Sequence, residues 1–184
     1  SKDTSWVDRL WSIVPVVYVW VFAIAAGLQD VRLVVIAVLV TVWGARLTFN
    51  FARKGGYTGV EDYRWAILRA RMTGWQFQLF NLGIIVIYQM ALILLMTLGA
   101  WTAFEHRGTP FGVIDMVLTL AFIGCIIGET VADQQQWDFH RRKKQAGGTL
   151  APGFATDGLF RLSRHPNFFF EQAQRGQASG GCCA

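Results

Sequence analysis

Four nearly unbroken apolar stretches alternate with polar connections along the chain. Residues 10–28 read LWSIVPVVYVWVFAIAAGL. Residues 31–51 carry Arg32 at one end and Arg46 towards the other, and the centre of 75–99, LGIIVIYQMALILLMTLG, has no charge. Residues 111–128 are interrupted only by Asp115. Each stretch approaches the roughly 20 residues that a helix needs to cross a bilayer. The pattern predicts an all-α, polytopic helical membrane protein with about four transmembrane helices, plus amphipathic or re-entrant helices on the cytosolic side. The first stretch is longer than a signal-peptide core and lacks a small-residue cleavage pattern after it. A chain that opens on serine rather than methionine is expected to be processed or a fragment.

The polar connections hold the candidate chemistry. Residues 52–74 (ARKGGYTGVEDYRWAILRARMTG) open on the turn-forming pair Gly55-Gly56, then place Glu61 and Asp62 before a helical pattern that ends in Arg69 and Arg71. Acid first and base last complements a helix dipole, and Tyr63 and Trp65 suit headgroup depth, so an interfacial helix is expected here. After the fourth stretch, GETVADQQQWDFHRRKK (128–144) continues the helix and gathers Glu129, Asp133, Gln136, His140 and Lys143 or Lys144 on one face. Carboxylates at a bilayer edge are costly unless they meet a polar cavity or a partner. The glycines and Pro152 of AGGTLAPGFATDG (146–158) then forbid continuous helix.

Residues 159–172, LFRLSRHPNFFFEQ, set two arginines, a histidine, an asparagine and a glutamate around a proline. Pro166 suits a helix's first turn, which puts Arg161, Arg164 and His165 at or before a helix N-terminus, where anions are favoured. Asn167 and Glu171, four apart, share a face of that helix, and the three phenylalanines are expected to anchor it in the membrane. The unit suits a ligand with a phosphorylated head and a flat body.

Composition and charge sharpen this picture. A chain of 184 residues, 53% of them hydrophobic, is one domain's length and too apolar for an ordinary soluble domain. The net charge of +5 is concentrated in 52–74 and after the fourth stretch. With four spans both regions fall on one side, the cytosolic one by the positive-inside rule. The charge hugs the membrane and no nucleic-acid-binding motif accompanies it, which argues against nucleic acid as a partner. The three cysteines, Cys125, Cys182 and Cys183, show no metal-ligand spacing, so no metal is expected.

The segment 158–172 (GLFRLSRHPNFFFEQ) resembles the cofactor-binding signature of steroid 5α-reductase-like membrane proteins, a style shared with sterol reductases and isoprenylcysteine carboxyl methyltransferases. Residues 7–20 (VDRLWSIVPVVYVW), 46–65 (RLTFNFARKGGYTGVEDYRW) and 132–143 (ADQQQWDFHRRK) resemble an uncharacterised branch of that superfamily, in the family's order. The resemblance implies an integral membrane reductase that takes hydride from NADPH on the cytosolic side and meets an apolar enone, sterol or prenyl-type substrate from the lipid. In a eukaryotic cell it implies the endoplasmic reticulum or another organelle membrane. Carried over by position, Glu129, Asp133 and His140 would line the nucleotide pocket. Arg161, Arg164 and His165 would meet phosphates or ribose, Asn167 and Glu171 the nicotinamide carboxamide, and Arg46 the cofactor from the second span.

Two departures accompany the resemblance. The family's catalytic tyrosine corresponds to Trp43, which is no proton donor, and the first span has no glutamate, so the catalytic acid has no assigned residue; Tyr18, Tyr57 and Tyr63 are the substitutes present. Family members also continue into at least one further membrane segment, whereas residues 173–184 (AQRGQASGGCCA) read as a polar, low-complexity tail. The domain is therefore expected to occupy 1–172 and to be incomplete. Two alternatives stand beside the reductase: a non-catalytic subunit of a larger membrane complex, and a methyltransferase using S-adenosylmethionine.

Overall fold

The computed structural model describes residues 10–56, 70–148 and 153–180, and every element among them is helical. Helix α1 is Val14–Ala25, α2 is Val31–Arg53, α3 is Gly74–Glu105, α4 is Val113–Gln145 and α5 is Pro166–Gly180, with a single 3-10 turn at Gly158–Arg161 before α5. Helix α3 is π-helical at Asn81–Tyr88 and α-helical on either side. By length and composition α2, α3 and α4 can each cross a membrane, and the protein is an all-α helical membrane protein.

The first apolar stretch holds a shorter helix than the other three among the described residues. Its α-helix covers only 12 residues. Pro15, in the first turn, has no N–H to give to a preceding carbonyl, so the helix begins beside it rather than running through. At the other end Gly27 and Leu28 turn left-handed, with φ of 70° and 59°, and the Leu28 N–H closes onto the Ala23 carbonyl at 3.0 Å. At 1.5 Å per residue the helix is about 18 Å long, short of the roughly 30 Å hydrocarbon core.

The chain forms two compact units, Ser1–Phe111 and Gly112–Ala184. In the first, α1 packs on α2 and α3 through Val19, Ala23, Leu33, Ala37, Ala100 and Ala103. Four of these six are alanines, which let helix backbones approach closely where burial of apolar surface from lipid gives little drive. Gly44 takes this furthest: a Cβ there would lie 2.6 Å from the Ser12 carbonyl oxygen. Hydrogen bonds join the same helices, with Trp20 Nε1 donating to Thr41 Oγ1 at 2.9 Å and the Ser12 and Thr48 hydroxyls 2.8 Å apart. Asp30 caps α2 by accepting from the Leu33 N–H at 3.1 Å, and its other oxygen accepts from the Gly108 N–H at 3.0 Å. One carboxylate thus closes the start of α2 and holds the loop that follows α3.

Candidate functional site

In the second unit α4 supplies the frame. Asp115, the one charge within the fourth apolar stretch, accepts from the Gly112 N–H at 2.8 Å and so closes the helix N-terminus. From there α4 runs 33 residues without a break. That is about 50 Å, so roughly 20 Å projects beyond a hydrocarbon core of about 30 Å. The projecting part is the polar run from Glu129 onwards. Gly147 and Gly148, both at positive φ (72° and 89°), end the helix.

The chain returns through Gly158, whose φ of 61° brings it against the Gln135 carboxamide. Gln135 Oε1 accepts from the Leu159 N–H at 3.0 Å, which pins the 3-10 turn to α4. Arg142 and Asp157 also meet at 3.3 Å, though both are largely exposed. The turn leads to Pro166, buried at the start of α5, and the Phe169 N–H bonds back to the His165 carbonyl at 3.1 Å. Arg161, Arg164 and His165 all lie exposed just ahead of this first turn.

Helix α5 then runs antiparallel to α4. Asn167 Nδ2 reaches Gln136 Oε1 at a long 3.5 Å, and Gln174 Nε2 donates to Glu129 Oε2 at 3.0 Å. The Phe170 ring lies on Gly128, next to Glu129, and Ala132, between Glu129 and Gln136, is fully buried. Asn167, Glu171 and Gln174 are spaced i, i+4, i+7 and form one stripe on α5. The contact between the two helices thus mixes polar pairs with apolar packing.

Eight of the nine predicted site residues fall in this unit. Glu129 is buried, with 3% exposure, and occupied by Gln174. Asp133 is half-buried, while His140 is exposed, its ring edge-on to Phe139 with centroids 5.7 Å apart. Asn167 and Glu171 are half-buried on α5. Arg46 lies half-buried on α2, in the first unit, and Trp43, one turn before it, is buried. Of the candidate tyrosines, Tyr18 is exposed on α1, whereas Tyr57 and Tyr63 lie outside the described residues, as does the interfacial helix expected around Glu61 and Asp62. Among the described residues no group of three or more His, Cys, Asp or Glu side chains is arranged to hold a metal ion.

Two expectations about α5 change. Phe168 and Phe169 are exposed, but Phe170 packs into the helix pair instead of facing outward. The helix also continues to Gly180, so the first residues of the polar, low-complexity tail, 173–180, form its second half. Sequence reasoning missed Gln174 for this reason, although its spacing from Asn167 and Glu171 was the signal. It also missed Gln135, whose partner is a backbone N–H that no side-chain pattern reveals.

A family model described as "Protein of unknown function (DUF1295)" matches residues 1–174. A protein of Schizosaccharomyces pombe named "Uncharacterized protein C594.04c" is 38% identical over 190 residues, covering 94% of this chain and 55% of that protein. The chain therefore spans about half the length of that curated relative. No solved structure matches the chain.

Proposed function

The chain belongs to the DUF1295 family of proteins of unknown function, and on that premise we propose that it carries the dinucleotide-binding part of a membrane-embedded, NADPH-dependent reductase of the steroid 5α-reductase-like type. The observation that carries the reading is the junction of the 3-10 turn with α5. Arg161, Arg164 and His165 stand exposed before the first turn, and Asn167 and Glu171 follow one turn apart on the helix. Guanidinium groups offer charge-assisted forks to phosphate oxygens, and a helix start adds N–H groups of the same sense. An amide and a carboxylate side by side supply the donors and acceptors that a carboxamide needs. This donor set fits NADPH from its phosphates to its nicotinamide.

When bound, NADPH supplies a hydride to a carbon–carbon double bond conjugated to a carbonyl. The residues of this chain bind and orient it: Arg161 and Arg164 at the phosphates, Asn167 and Glu171 at the nicotinamide end, Asp133 and His140 along α4. The apolar exteriors of α2, α3 and α4 make a lipidic enone, sterol or prenyl-type substrate the fitting class, arriving from the bilayer. The basic segments after α2 and α4 then face the cytosol, in the endoplasmic reticulum or another organelle membrane.

The test is a thermal-stability titration of the purified chain in detergent. Specific binding to the folded state raises the melting temperature with ligand concentration. The reading predicts a dose-dependent rise with NADPH, a smaller one with NADH, and none with S-adenosylmethionine. A rise with S-adenosylmethionine alone would assign the site to methyl transfer. No rise with either ligand, from a folded chain, would favour a non-catalytic membrane subunit.

A further inference from the structure

Gln174 and Glu129 are each 3% exposed, and their hydrogen bond joins α5 to α4. A hydrogen bond to a charged group is stronger than one between neutral groups, and stranding a buried carboxylate costs more than stranding an exposed one. Sliding α5 by one turn would separate Gln174 from Glu129 and lift Phe170 off Gly128. Buried polar pairs are best attested as devices that fix the register of one helix on another.

We infer that Gln174 is a positioning residue: through Glu129 it sets the register of α5 on α4, and so the place at which Asn167 and Glu171 meet the nicotinamide end of a bound dinucleotide. This rests on the reductase reading above. Glu129, buried at the α4–α5 contact, serves the site by holding α5 through its Oε2. Arg161 and Arg164 precede α5 and are tied to α4 separately, through Gln135 and the 3-10 turn. Loss of the Gln174 bond therefore acts on the nicotinamide end and spares the phosphate end.

The experiment measures dissociation constants for two probes, NADPH and 2′,5′-ADP, which carries phosphates but no nicotinamide. It compares the wild-type chain, Gln174→Leu, Gln174→Glu and the reciprocal double variant Glu129→Gln/Gln174→Glu, each shown to melt cooperatively. Gln174→Glu sets two carboxylates together, while the double variant restores an amide–carboxylate pair in the opposite sense. The expected result is about a tenfold or greater weakening of NADPH binding in both single variants, from the lost charged hydrogen bond. Affinity for 2′,5′-ADP stays within about twofold of wild type, and the double variant recovers most of the NADPH affinity. Should Gln174→Leu, the milder change, bind NADPH like wild type, the inference is overturned. Equal loss of both probes, or no recovery in a folded double variant, overturns it too, because Gln174 would then be a merely structural contact. A wild-type chain that binds neither probe removes the reductase reading and this role together; one that binds both isolates the failure to Gln174.

Discussion

The ring of Phe170 fills the space that a side chain at Gly128 would need: a Cβ on Gly128 would lie 2.6 Å from the ring's Cζ atom. The atoms met are the far end of the Phe170 side chain, so the ring must move aside for a Cβ to fit. Gly128→Ala is expected to cost about 1–3 kcal/mol, the usual range for overpacking. Thermal melting in detergent would record it. Combining it with Phe170→Leu should cost less than the two single changes added together, because the smaller side chain vacates the contested space.

Gly44 and Gly124 form a matched contrast within two membrane-crossing helices. A Cβ at Gly44 would meet the Ser12 carbonyl oxygen at 2.6 Å and Val16 Cγ2 at 2.8 Å, whereas a Cβ at Gly124 would meet nothing within 4 Å. Backbone cannot swing aside as a side chain can. Gly44→Ala should therefore lower the melting temperature clearly, by about 1–3 kcal/mol of stability. Gly124→Ala should be neutral or slightly stabilising, since Ala is a better helix former by up to about 1 kcal/mol.

Asp30 does two jobs with its two oxygens, capping α2 at Leu33 and holding Gly108. Asp30→Ala removes both and should cost about 2 kcal/mol, the upper end for loss of an N-cap. Asp30→Asn keeps one acceptor oxygen and should retain most of the cap while losing the hold on Gly108. Hydrogen exchange would then show faster exchange at residues 106–109 in both variants, with the start of α2 affected mainly in Asp30→Ala.

Much of this was legible in the chain because bilayer burial writes long, uninterrupted apolar runs. Residues 31–51, 75–99 and 111–128 lie within α2, α3 and α4 but for two residues at the head of α4. The first run holds a shorter helix because apolarity persists through Pro15 and Gly27, while the regular helix does not. Asp115 read as an interruption; it is a capping residue at the start of a helix that begins just after the run does. The face of α4 that carries Glu129 and Gln136 was visible from helical spacing, as was the pairing of Asn167 with Glu171. What opposes them was hidden, since Gln174 sits in a composition that reads as tail. Its partner Glu129 lies 45 residues away in the sequence, and a tertiary contact of that kind is not visible in local composition.

Hydrogen–deuterium exchange of the detergent-purified chain, with and without saturating NADPH, tests the central claim most directly. The account predicts slowed exchange over residues 159–171 and along the polar part of α4 from Glu129 to His140, with that protection lost in Arg164→Ala. Unchanged exchange throughout, or protection confined to other segments, would contradict it.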